Sequence, residues 1–151
     1  MSLNPAKCRV EIFRKPGFFD DSFAKGWTKT SGGTSSFSTD GDIASLNKGD
    51  QASCDITKSF STLSTDTYTK LQIRVTAISE SLIVYVWDGT TWIAVVTITV
   101  TGVSEVSLPS AKNITDISLN GFGTTSIDYV SICKNPVLIP DLGDLVEELT
   151  V

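Results

Sequence analysis

Histidine is missing from all 151 residues of the chain. Its absence removes the commonest general base, the Ser-His and Cys-His pairs of nucleophilic catalysis, and every imidazole-based zinc site. Cysteine is scarce: Cys8, Cys54 and Cys133 lie far apart, show no Cys-x-x-Cys spacing, and each sits within an alternating apolar pattern. Two readings stay open for them: three free core thiols, or a Cys8–Cys133 bridge between neighbouring first and last strands with Cys54 buried alone. Basic residues are also few, 12 Lys and Arg against 17 Asp and Glu for a net charge of −5. That balance opposes binding to a nucleic-acid backbone, which needs clustered cations. The longest apolar runs, Leu82 to Trp87 and Trp92 to Val96, are far shorter than the roughly 20 residues that cross a bilayer. No P-loop, dinucleotide fingerprint, EF-hand loop or nucleophile elbow occurs, and no paired-carboxylate motif marks a glycosidase cleft, so the chain is expected not to be an enzyme.

What is present suits strands. Ser and Thr supply roughly a quarter of the chain, a composition fitted to pleated surfaces and turns. The length matches one domain able to bury its own core. The strongest signal is Ser81 to Thr101, two strand patterns joined by Asp88-Gly89, which predicts a hairpin. Any even-length loop puts Ile83, Tyr85 and Trp87 on one face with Trp92, Ala94, Val96, Ile98 and Val100. That face runs on without a polar break, as a core face does. The hairpin is therefore expected to be the central pair of core strands, leaving only its loop end, Trp87, Asp88 and Trp92, open to a partner.

Elsewhere Lys7–Lys15, Gln51–Phe60, Leu71–Ile78, Val103–Leu108, Asn113–Leu119 and Ser126–Cys133 alternate as half-buried strands, with a shorter apolar run at Ile43–Leu46. Pro16-Gly17 is read as ending the first of these, and Thr30–Ser36 as loop. About nine or ten short strands without a credible helix predict an all-β, antiparallel two-sheet β-sandwich over residues 1–136. Residues 137–151 change character, with Leu142, Leu145, Val146 and Leu149 at helical spacing. This tail reads either as a frayed acidic terminus or as a short amphipathic helix serving as linker to other domains of a longer polypeptide, or as an oligomerisation segment.

Three stretches in order, Phe18-Phe19-Asp20-Asp21-Ser22-Phe23 with Trp27, Gly41-Asp42-Ile43-Ala44-Ser45-Leu46, and Ile127-Asp128-Tyr129-Val130-Ser131-Ile132, resemble the jelly-roll carbohydrate-binding modules of the galactose-binding-like superfamily, of the kind appended to bacterial glycoside hydrolases. The resemblance spans roughly Val10 to Cys133. It implies a jelly-roll sandwich, a non-catalytic accessory role in holding a glycan or polysaccharide, and a structural calcium ion near the joined first and last strands. Asp128 shares strand parity with Val130 and Ile132, which points it coreward, where an unpaired carboxylate is costly. Calcium prefers several hard oxygens, and Asp20, Asp21 and Asp42 are the loop carboxylates such a fold could bring to it. The alternative is that Asp128 caps backbone N–H groups at the sandwich edge.

Sugar recognition calls for aromatic planes beside polar side chains. The candidates are Trp87, Asp88 and Trp92 at the hairpin end, Trp27, which could equally plug one end of the sandwich, and Tyr68 in its loop. A module of this kind is expected to be secreted, cell-surface or virion-associated, although no signal peptide is visible. The rival expectation is a structural or adhesion module of a phage, virus or cell-surface assembly that binds protein partners.

Overall fold

The computed structural model describes residues 16–134, and these contain strands and turns without a helix. The expected strand Lys7–Lys15, the tail 137–151 and Cys8 lie outside the described residues. Two antiparallel sheets face each other. One runs β3 (Ser36–Asp40), β4 (Ile43–Asn47), β11 (Thr124–Cys133), β6 (Lys70–Ile78), β9 (Gly102–Ser107), with β1 (Pro16–Asp20) also pairing β11; the other runs β2 (Thr28–Lys29), β5 (Cys54–Ser64), β10 (Asn113–Gly121), β7 (Leu82–Trp87), β8 (Trp92–Ile98). The all-β sandwich is as expected.

Alternation explains most of this. In β6, Leu71, Ile73 and Val75 are buried while Gln72 and Arg74 are not, and in β10 Ile117 and Leu119 are fully buried. These side chains meet Leu82, Val84, Val86, Ile127, Val130 and Ile132 between the sheets. Each such burial is worth about 1.5–3 kcal/mol. β3 begins inside the expected loop, and its short strand of mainly polar residues turns into β4 through Gly41 and Asp42 at φ 56° and 69°. That left-handed pair is what a two-residue hairpin turn requires. Among the described residues β1 includes Pro16 and Gly17 rather than ending at them; the register shifts between Pro16 and Phe18, and proline in a sheet is found at bulges and edges.

The hairpin β7–β8 departs from expectation in one decisive way. Trp87 pairs Trp92 and Tyr85 pairs Ala94, but Val84 pairs Val96, so Val95 is an extra residue, a β-bulge. Up to Ala94 the parity argument holds; beyond the bulge it inverts. Val96 and Ile98 turn into the core with Val84 and Leu82, whereas Ile83, Tyr85, Trp87, Trp92 and Ala94 turn outward. The aromatic face is thus not a core face, and Trp92 is 42% exposed. A bulge adds one residue to one strand and so swaps faces without any signal in the hydrophobic pattern.

Asp128 departs for the same reason. It is the extra residue at the register shift between Ile127, opposite Val75, and Tyr129, opposite Arg74. Its carboxylate accepts from Arg74 Nη1 at 3.2 Å, and Arg74 stands on the face of β6 opposite to the buried Ile73 and Val75. The coreward placement expected for Asp128 is corrected: its carboxylate meets an arginine on the outer side of the sheet.

Candidate carbohydrate-binding face

The outer face of the five-stranded sheet brings together residues from strands far apart in sequence. Register sets three rows across it. Ser59, Asp116, Trp87 and Trp92 form the first; Thr28, Thr57, Ser118, Tyr85 and Ala94 the second; Asp55, Asn120, Ile83 and Thr97 the third. A depression of about 440 Å³ opens on this face, lined by Thr30, Asp55, Thr57, Tyr85, Trp92, Ser118 and Asn120. Aromatic rings occupy one side and hydroxyl, amide and carboxylate groups the other. The Trp87 and Trp92 rings stand 5.3 Å apart, tilted by 52°, so they form one angled surface. Ala94, opposite Tyr85, presents only a methyl beside the phenol ring.

The polar half is held by bonds among its own members. Ser118 Oγ donates to Asn120 Oδ1 at 2.6 Å, Ser53 Oγ donates to Asp55 Oδ1 at 2.7 Å, and Asp116 accepts from the hydroxyls of Ser59 and Thr115. Such bonds fix the direction of the remaining donors and acceptors before any ligand arrives, which lowers the ordering cost of binding. At the hairpin end Asp88 Oδ1 accepts from the N–H groups of Thr90 and Thr91 at 2.9 and 2.7 Å, closing the loop between the tryptophans. The Thr91 and Thr90 N–H groups hold its carboxyl below the ordinary value. Lys112 Nζ lies 3.6 Å from its other oxygen. Asp88 therefore works on the turn, and through the turn on the two rings.

The other predicted residues are placed elsewhere. Trp27 packs against the core at one end of the sandwich, beside Phe18 and Phe23. Its indole Nε1 donates to Asp20 Oδ2 at 2.8 Å. The plug reading describes this geometry, and Trp27 does not line the depression. Tyr68 also packs against the core, its ring against Gly17, where an added Cβ would come within 2.8 Å of it. Lys134 Nζ lies 5.6 Å from the ring centroid.

Asp20 is the hub of the plug. It accepts from Ser22 and Phe23 N–H at 3.0 and 2.8 Å, from Trp27 and from Lys58 Nζ at 2.7 Å. Burial pushes its carboxyl up, but the Lys58 ammonium and the Phe23, Trp27 and Ser22 donors together hold it below the ordinary value. Phe23 adopts φ 54°, a left-handed conformation uncommon for a bulky side chain. Its bond to Asp20 and its 2% exposure hold it there.

Asp20 is saturated by nitrogen donors, Asp128 is paired with Arg74, and Asp42 belongs to the β3–β4 turn. Among the described residues no group of three or more His, Cys, Asp or Glu side chains is arranged to hold an ion. Cys54 is a buried thiol whose Sγ donates to the Ser36 carbonyl, and burial raises its pKa.

Sequence reasoning found Trp87, Asp88 and Trp92 but missed Tyr85, Asp55, Thr57, Ser118 and Asn120. The alternation of Asp55 and Thr57 against Ile56, and of Ser118 and Asn120 against Leu119, already marks them as outward. What was missing was the neighbourhood: β5, β10 and β7 are adjacent in space but not in order.

No protein-family model and no curated protein sequence matches the chain. Solved structures do match its fold. A low-affinity xylan-binding module, CBM86, from Roseburia intestinalis superposes with a TM-score of 0.60 at 10% identity, covering 78% of this chain and 93% of that one. A variant of a family 29 carbohydrate-binding module in complex with cellulohexaose gives 0.57 at 12% identity, over 80% and 87%. Another variant of that module, with mannohexaose, gives 0.53 at 13% identity, over 75% and 86%. The chain thus has the sandwich fold of known carbohydrate-binding modules.

Proposed function

We propose that this chain is a non-catalytic carbohydrate-binding module that holds a polysaccharide on the outer face of the β2-β5-β10-β7-β8 sheet. The observation that carries the reading is the pairing, on one open face, of Tyr85, Trp87 and Trp92 with Asp55, Ser118 and Asn120. Pyranose rings offer C–H faces to aromatic planes and hydroxyls to carboxylates, amides and hydroxyls, and this face presents both sets side by side. Large aromatics left outside a core mark interaction sites. The fold supports the reading: its solved neighbours include modules described with xylan, cellulohexaose and mannohexaose.

Binding is served by the elements that carry these groups. The bulge at Val95 lets one strand give Val96 and Ile98 to the core and Trp92 to the ligand. The Asp88 turn fixes the spacing of the two indoles. A secreted or cell-surface setting, as part of a longer polypeptide acting on polysaccharide, belongs to the same proposal. Affinity electrophoresis through gels containing soluble xylan, mannan or hydroxyethylcellulose tests it. Retardation by at least one polymer, abolished in Trp92→Ala and weakened in Tyr85→Ala, is the expected result; equal mobility in every gel would refute the reading.

A further inference from the structure

We infer that this face admits uncharged polysaccharide chains and turns away uronate-bearing or sulfated ones, with Asp55 and Asp116 as the filter; the inference rests on the glycan reading of the same face. The two carboxylates lie on either side of the Tyr85 row. Asp116 stands in the row of Trp87, Asp55 in the row of Asn120, and the row of Ser118 and Tyr85 lies between them. Adjacent rows are two residues apart along a strand, about 7 Å. With strands about 4.8 Å apart, and Asp116 one strand and Asp55 two strands from Tyr85, a sugar stacked on Tyr85 lies about 8–9 Å from the first and about 12 Å from the second across the sheet, so their field is felt most at low salt and is damped by the roughly 8 Å screening length of physiological salt.

Lys112, Lys29 and Arg74 are each engaged by groups other than Asp55 and Asp116. Lys112 pairs with Asp88 in the turn that follows Trp87, its charge met by that carboxylate. Lys29 Nζ donates to the carbonyl and hydroxyl of Ser35. Arg74, the one arginine among the described residues, lies in the other sheet and pairs with Asp128. The forked donor that grips carboxylate and sulfate groups is thus absent from this face among the described residues. A neutral sugar gains from the same arrangement, since carboxylates are strong acceptors for hydroxyl donors. An acidic sugar meets like charge from two sides.

The test uses polymers that share a backbone and differ in charge. Hydroxyethylcellulose is compared with carboxymethylcellulose, and arabinoxylan with glucuronoxylan, in affinity gels at low and at physiological salt. The unaltered chain is expected to bind the neutral member at least about fivefold more tightly, with the gap narrowing as salt rises. Asp55→Asn with Asp116→Asn is expected to close most of that gap. Asp42→Asn with Glu80→Asn, which removes the same charge away from this face, leaves it in place and separates a local filter from the acidity of the whole protein. Equal retention of neutral and acidic members by the unaltered chain, or an unchanged gap in the Asp55/Asp116 variant, would overturn the filter while leaving glycan binding intact. Failure to bind any polymer would overturn both.

Discussion

Trp27 and Trp92 are the same side chain put to opposite uses, and what separates them is the partner of the polar edge. At Trp27 the indole N–H meets Asp20, the ring lies against Phe18 and Phe23, and Lys58 closes the cluster with Nζ 6.0 Å from the ring centroid. At Trp92 the ring leans on Trp87, stays 42% exposed, and borders a depression lined by polar groups. A tryptophan whose N–H is met inside the protein fills space; one left at an open face is available to a ligand. On the proposed function the plug serves stability and the face serves binding, and substitutions should separate the two.

The largest effect is expected at the hub of the plug. Asp20→Ala leaves the Trp27, Ser22 and Phe23 N–H groups without their acceptor and the Lys58 ammonium with only the Lys25 carbonyl, and opening a largely buried cluster of this kind costs about 3 kcal/mol. Urea denaturation should show that loss, with glycan affinity unchanged at temperatures where the variant is folded. Trp27→Ala comes next, at about 3 kcal/mol for a partly buried ring, again without loss of binding. A loss of affinity at constant stability in either variant would erase the division between the regions.

Acid sharpens the same contrast. The folded-state pKa of Asp20 lies below its ordinary 3.8. Its stabilising contribution is therefore complete above that ordinary value and is lost as pH falls through the lower folded one. Melting temperature followed from pH 5 downward should fall less steeply in Asp20→Asn than in the unaltered chain. The smallest effect expected is that of chelation. Asp20 and Asp128 already face Lys58 and Arg74, so EDTA should leave the melting temperature where it was, and a drop reversed by calcium would contradict this arrangement of the aspartates.

The fold was largely legible because strand burial repeats every second residue. Leu71, Ile73 and Val75, or Ile117 and Leu119, announce their strands without help. Legibility ended at the bulges. Trp92, Ala94, Val96 and Ile98 read as one face, and only the extra residue Val95 divides them into outer side and core side. Asp128, extra in its own strand, was misdirected in the same way. The site was half legible: aromatic residues flanking an Asp-Gly turn stand out, whereas Asp55, Ser118 and Asn120 resemble any wet strand face until β5, β10 and β7 are known to be neighbours. Strand order of this kind is set by long-range packing, which local pattern does not encode.

The central claim is that the outward indole of Trp92, and not the plugged indole of Trp27, meets the glycan. Titration calorimetry of the unaltered chain, Trp92→Ala and Trp27→Ala against whichever soluble polysaccharide the affinity gels identify compares them directly. The account predicts at least about a tenfold loss of affinity for Trp92→Ala, equivalent to about 1.4 kcal/mol, with Trp27→Ala within twofold of the unaltered chain. Full affinity in Trp92→Ala, or a loss confined to Trp27→Ala, would contradict it.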